Sequence, residues 1–370
     1  RMDYTAHGYV VGIAARMQQI AAPGTVCLAA GTAELVEGFC DLRPAGAVEV
    51  KGVSEPVPTY ELIAARPERS SLDVRQSRGL SRFVGREPEL DFLKSALERV
   101  KRGHGQAVAV VGGPGVGKSR LCLEMERYCA DQGCEIYKAH GVPQGRLLSF
   151  YPALTLIRAF LGLEDDDSPE AAREKIRSRL MSLGEEYQER LPRIYEYLGV
   201  PDPAVKLPNI DPNVRQSRVL ALIRWALLKA QRSKVMVLIL EDLQWFDDSS
   251  LEIVDMLLRS VRNSQVLMIV SLRPEFQPGF VYVSQCHRLA LSPLETQESI
   301  ALARDLLGDS PGMTGLAERV AESSAGNPLF IEEIIQDFVE SRVLEGNRGD
   351  FRLTDTTRPI KAPTGIQDVL

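Results

Sequence analysis

Apolar residues recur at helical spacing from Val10 to Ala22 and stop at Pro23-Gly24, which predicts a helix closed by a turn. Extended pieces follow at Thr25–Ala29, Val48–Val50 and Thr59–Ile63, with a small helix around Ala33–Glu37. Residues 1–65 therefore read as a compact α+β segment. Arg66 to Arg82 has no apolar period and reads as a solvated linker. From residue 83 the pattern alternates. It predicts a helix from Pro88 to Lys101, a strand at Ala107–Val111, a helix from Lys118 to Ala130 and a strand at Glu135–Ala139. A helical insert runs from about 152 to 231, interrupted at Pro192, Pro201, Pro208 and Pro212. A strand at Val235–Leu240, a helix at Ser250–Arg262 and a strand at Val266–Ser271 complete an α/β core over 83–291. Strands alternating with helices predict a parallel sheet covered on both faces. Residues 292–370 read as a helical domain, with helices at Thr296–Leu307, Gly315–Ser323 and Leu329–Glu340.

Composition narrows the partners. The 370 residues carry 44 Lys+Arg against 50 Asp+Glu, a net charge of −6, which argues against a protein that coats nucleic acid. No apolar run reaches the roughly eighteen residues of a membrane span. The six cysteines are scattered, with neither a Cys-x-x-Cys pair nor zinc-type histidine spacing, so reduced thiols, a cytoplasmic setting and no zinc site are expected. The chain starts at Arg1 without a signal peptide and reads as cut from something longer. The acidic run Glu164-Asp165-Asp166-Asp167 lacks the alternating ligands of a calcium loop. Ser168-Pro169-Glu170 after it reads as a helix start.

The strongest chemical signal is Gly112-Gly113-Pro114-Gly115-Val116-Gly117-Lys118-Ser119, which satisfies G-x-x-x-x-G-K-[ST] between a strand and a helix. Glycines are needed because backbone N–H groups must turn inward around a phosphate, where a Cβ would obstruct them. The helix N-terminus adds about half a positive charge. Lys118 is expected to bridge the β- and γ-phosphates of a nucleotide, and the Ser119 hydroxyl to ligate Mg²⁺. Such a loop needs acids at the end of a neighbouring strand. The six apolar residues Val235–Leu240 run into Glu241-Asp242, placing both carboxylates at the sheet's carboxyl edge. Glu241 is the expected metal partner and Glu241 with Asp242 the expected catalytic pair. Arg273, after the next strand, is either a cation reaching the γ-phosphate or an exposed strand-end arginine. The five arginines of 66–82 would also suit a basic strap contacting a partner or the nucleotide.

Taken together, Phe83-Val84-Gly85-Arg86-Glu87, the loop, Glu241 to Asp247, Arg273 and Gly326-Asn327-Pro328-Leu329-Phe330 resemble the signal-transducing P-loop ATPases of the STAND type, related to AAA+ proteins. The resemblance implies that Val84 and Arg86 flank an adenine and that Gly326 and Pro328 of a helical lid close over the nucleotide. It also implies ATP and Mg²⁺ as ligands. The family usually has Asp where Glu241 stands, which bears on hydrolytic rate more than on binding. Residues 1–65 resemble the C-terminal half of a class III nucleotide cyclase domain, through Asp3 to Gly8, Ala14-Ala15-Arg16 and Val50 to Val57. That resemblance would place Thr5 near the purine and make Arg16 the transition-state arginine. Gly12 falls in the slot of the family's transition-state Asn, and the metal aspartates would precede Arg1.

The expected function is an ATP-binding signal-transduction switch with slow hydrolysis, attached to and regulating a cyclase domain. The alternative is a fragment of an active adenylate cyclase; a non-enzymatic scaffold is a third reading. Self-association or pairing with a cyclase half-domain is expected, with no nucleic acid or membrane partner.

Overall fold

The computed structural model describes residues 9–36, 38, 40–50, 56–65, 72, 76, 79–143, 150–164, 166–205, 234–282, 286–310 and 312–354. The segment Asp3–Gly8 with Thr5, residues 51–55, most of the 66–82 linker and the last part of the helical insert (206–231) lie outside the described residues. The chain divides into two compact units, Arg1–Leu80 and Ser81–Leu370.

The first unit holds helix α1 (Tyr9–Ile20), strand β1 (Val26–Ala29), helix α2 (Ala30–Val36), and strands β2 (Cys40–Val48) and β3 (Val57–Ala65). The strands form an antiparallel sheet of order β1-β3-β2. The expected strand at Val48–Val50 is corrected: only Val48 lies in a strand, as the last residue of the much longer β2. The stretch Arg43-Pro44-Ala45-Gly46, with its Pro and Gly, hides β2 from a hydrophobic pattern, and the register shifts there, between Pro44 and Gly46. Met17, Ala29, Ala33 and Val50 are buried apolar side chains of this unit.

The second unit is a three-layer α/β domain with a helical subdomain. Its elements run α3 (Glu87–Lys101), β4 (Gln106–Gly112), α4 (Lys118–Asp131), β5 (Glu135–His140), α5 (Tyr151–Leu161), α6 (Pro169–Leu183), α7 (Leu191–Tyr197), β6 (Met236–Glu241), α8 (Asp248–Ser260), β7 (Val266–Leu272) and β8 (Cys286–Leu291). All five strands are parallel, in the order β5-β6-β7-β4-β8. Alternate residues of one strand serve opposite faces. Val108, Val110, Val237, Ile239, Leu267 and Ile269 pack against α3 and α4. Ala107, Ala109, Met236, Leu238, Met268 and Val270 pack against the helices of the insert and α8. Burying both faces explains the near-continuous apolar runs Met236–Leu240 of β6 and Val266–Val270 of β7. The expected helix start after the acidic run is present: the Ser168 side chain accepts from the Ala171 N–H, with Pro169 in the first turn.

Two features depart from the sequence reading. Strand β8 was not expected, because Cys286-His287-Arg288-Leu289 alternates in polarity, as an edge strand does. More consequentially, β6 is not the neighbour of β4. Strand β7 lies between them and pairs with both.

The C-terminal subdomain comprises α9 (Thr296–Leu307), α10 (Met313–Ser323) and α11 (Pro328–Glu340) around Leu302, Leu306, Leu316, Val320, Ile331 and Ile335. It is not wholly helical. A hairpin of β9 (Leu344–Asn347) and β10 (Asp350–Leu353) seals its core with Leu344 and Phe351. Ser81 and Arg82, read as linker, belong to this unit: the Ser81 hydroxyl donates to Glu332 at 2.7 Å and the Arg82 N–H to Asp305 at 2.9 Å.

Candidate functional site

Between β4 and α4 the chain makes the Gly-rich turn in the form its sequence requires. Gly115 and Gly117 adopt φ of +74° and +99°, a region closed to most side chains. A Cβ on Gly112 would lie 2.8 Å from Val116 and 3.1 Å from the Leu291 carbonyl oxygen. Gly117 is the N-cap of α4 and has no side chain to cap the helix, so the first N–H groups of α4 have no side-chain cap of their own. Lys118 is 7% exposed, and its Nζ donates to the Gly112 and Gly113 carbonyls, both at 2.9 Å. Burial lowers its pKa and the Asp242 charge opposes that shift, which puts this carboxylate within electrostatic reach of the lysine.

The Ser119 hydroxyl donates to the Glu241 carboxyl at the end of β6. Burial pushes Glu241 up to about 7, against the lowering effects of that hydrogen bond and of the Lys138 charge. Asp242 follows in the left-handed region at φ +56°. Its N–H donates to the Ser271 hydroxyl of β7 at 3.0 Å, and the Gln244 Nε2 donates to its Oδ1 at 2.9 Å. Gly141, after β5, packs beneath this turn: a Cβ there would lie 2.5 Å from the Asp242 carbonyl oxygen. The Arg273 guanidinium lies 5.8 Å from the Trp245 ring centroid and 3.9 Å from Glu275, and its charge lowers the pKa of Lys118.

Arg86 is 6% exposed. It donates to the Val116 carbonyl at 3.2 Å, to the Ser292 carbonyl and to Glu89 at 3.3 Å, while its Nε has no partner. Its guanidinium is thus tied to the loop itself; Val84 is half-buried nearby in sequence. Pro328 opens α11, whose N-cap Asn327 accepts from the Leu329 N–H at 3.0 Å and donates through Nδ2 to the Pro114 carbonyl at 3.0 Å.

The structure therefore gathers Lys118, Ser119, Glu241, Asp242 and Arg273 on one side of the sheet's carboxyl edge. Arg86 and the start of α11 hold the outer wall of the loop. Sequence reasoning assigned no part to Ser271, Gln244 or His140. His140 pairs in register with Glu241, and its buried Nε2 has no partner. Only the position of Ser271, the one polar residue of an apolar strand and next to its end, could have flagged it. Uncapped helix donors beside hard oxygen ligands and a buried ammonium fit a magnesium-bound polyphosphate. Among the described residues there is no cluster of three or more His, Cys, Asp and Glu side chains able to hold a metal by themselves. No helix among them is long and apolar enough to cross a membrane.

A parallel sheet of this order, with a Gly-rich loop after a central strand and acids at the tip of another, is the fold of a P-loop NTPase. The model of the AAA ATPase domain matches residues 82–270, just over half of the 370 residues, and the chain belongs to that family. It is 27% identical over 339 residues to an uncharacterized protein of Rhizobium meliloti (strain 1021), covering 89% of this chain and 32% of the relative. It is 24% identical over 362 residues to adenylate cyclase type 10 of Mus musculus, covering 93% of this chain and 22% of that protein. The chain thus spans a third or less of the curated relatives it matches. Among solved structures, a signal transduction ATPase with numerous domains (STAND) with a tetratricopeptide repeat sensor, from Pyrococcus horikoshii, aligns at a TM-score of 0.40 and 17% identity. That alignment covers 69% of this chain and 30% of the other.

Proposed function

We propose that this chain is the ATP-binding switch of a larger signalling protein, hydrolysing slowly and regulating a nucleotide cyclase domain. The observation that carries the reading is the convergence of Lys118 with the Ser119–Glu241 pair and Asp242 at one edge of the sheet. In this reading the amides of the loop and of the α4 N-terminus bind the phosphates, and Lys118 leaves the loop carbonyls for the β- and γ-phosphate oxygens. Ser119 and Glu241 would hold Mg²⁺, which neutralises charge developing on those oxygens. Asp242 orients the attacking water, while Arg273 reports whether a γ-phosphate is present. Val84 and Arg86 lie at the adenine end, and Pro328 carries the lid's response. A switch needs the two lid positions to differ in affinity for ATP and ADP. The cyclase link rests on the likeness of residues 1–65 to half of such a domain and on the similarity to adenylate cyclase type 10.

Calorimetric titration of Mg·ATP, with turnover measured on the same sample, tests this. Wild type should bind, and Lys118→Ala should weaken binding about tenfold to a hundredfold, the worth of charge-assisted hydrogen bonds of roughly 1.5–3 kcal/mol. Equal affinity in the two proteins would return the chain to a scaffold. Joined to the N-terminal half of a class III cyclase domain, the protein should make cyclic nucleotide at a rate that Lys118→Ala alters.

A further inference from the structure

The carbonyl groups of five successive loop residues all accept hydrogen bonds, and the last three are held from outside the loop. Those of Gly112 and Gly113 accept from Lys118 Nζ. Pro114 accepts from Asn327 Nδ2 at 3.0 Å, Gly115 from the Leu329 N–H at 3.3 Å, and Val116 from Arg86 at 3.2 Å. In a trans peptide the C=O of one residue and the N–H of the next point in opposite directions. Holding the Pro114 and Gly115 carbonyls toward α11 therefore turns the Gly115 and Val116 N–H groups away from it, toward the hollow of the turn.

We propose that Asn327 is a positioning residue for polyphosphate binding, the lid side chain that sets the direction of the Gly115 and Val116 amides. This rests on the nucleotide-binding reading above and specifies how the lid enters it. The approach is close enough to require glycine on the other side: a Cβ on Gly115 would lie 2.5 Å from Asn327 Oδ1 and 2.8 Å from Leu329 Cβ. The Asn327 amide has two separable tasks. Its Oδ1 caps α11 by accepting from Leu329, and its Nδ2 holds the loop. Any motion of α11 away from the loop breaks both lid contacts and frees two peptide planes at once. Lid position and phosphate affinity are then one equilibrium, read from either end.

The two tasks make the test specific. Serine is as good an N-cap as asparagine and equally uncharged, but it is too short to reach Pro114. Asn327→Ser should keep the wild-type circular dichroism and raise the Kd for Mg·ATP and Mg·ADP about fivefold to tenfold, the equivalent of one hydrogen bond. Its Kd for AMP, which lacks the β- and γ-phosphates, should stay within about twofold of wild type by that argument. Deuterium exchange of the loop peptide without nucleotide should be faster than in wild type. Asn327→Asp keeps the capping acceptor and loses the donor, so it should show the same faster exchange even if the serine variant fails to fold. Wild-type ATP affinity in Asn327→Ser, or AMP weakened by the same factor as ATP, would overturn the positioning role alone. A wild-type protein that binds no Mg·ATP would overturn the nucleotide reading and this proposal with it.

Discussion

The Ser119 hydroxyl donates a hydrogen bond to Glu241, joining the first turn of the loop helix to the tip of a strand two places away in the sheet. The strand between them, β7, takes part as well, since its Ser271 hydroxyl accepts from the Asp242 N–H at 3.0 Å. Two strands and the loop helix thus fix one polar edge. Placing a carboxylate there has a cost, because the surroundings of the Glu241 carboxyl desolvate its charged form.

That cost has a pH signature. Burial raises the Glu241 carboxyl to about 7 in the folded protein, so between about pH 4.5 and 7 the folded state holds a proton that the unfolded chain has released. Stability contributed by this group is therefore present at low pH and lost as pH rises through about 7. Without magnesium or nucleotide, Glu241→Gln should match wild type near pH 4.5 and exceed it by about 3 kcal/mol near pH 8. Urea midpoints at the two pH values measure the gap, and a gap that does not change with pH would contradict the assignment.

Gly141 offers a way to disturb Asp242 without touching the loop. An alanine there would bring its Cβ to 2.5 Å from the Asp242 carbonyl oxygen and 2.8 Å from Trp245 Cβ, so the turn must move. The three atoms nearest to that methyl belong to Asp242, Trp245 and Phe246 and none to the phosphate loop. Single-turnover hydrolysis by Gly141→Ala should fall about tenfold to a hundredfold, as expected when a catalytic group is displaced by a fraction of an ångström to an ångström. Calorimetric affinity for Mg·ATP should change less than about threefold. An affinity loss equal to the rate loss would mean that Asp242 contributes binding rather than orientation.

The phosphate loop and both acids were legible because each is dictated locally. Gly115 and Gly117 occur where φ is positive, and Glu241 ends a six-residue strand whose burial on both faces shows as an unbroken apolar run. Strand order is not local. Inserting β7 between β4 and β6 depends on crossover connections, and nothing in the residues of β4 or β6 announces which strand each will pair with. The hairpin Leu344–Leu353 was missed although Gly346-Asn347-Arg348-Gly349 is a turn-forming run, because its four-residue strands are too short to show a period. Asn327 stood within a recognised motif, but its bond to Pro114 spans 213 positions of sequence.

The helix that follows the acidic turn depends on one cap. Asp247 is 8% exposed, and its carboxylate accepts from the Ser250 N–H at 3.1 Å and from the Ser250 hydroxyl at 2.6 Å. Alanine would leave both donors unsatisfied in a site where water has little access. Asp247→Ala should cost about 1–3 kcal/mol, summing the loss of a cap and of a buried acceptor. Asn keeps an acceptor of the same length and should cost less than half as much. Urea denaturation with an unchanged m-value separates this local loss from a change in the compactness of either state. Equal midpoints for Asp247→Ala and wild type would show that α8 is held by its packing on β6 and β7, with the cap contributing nothing.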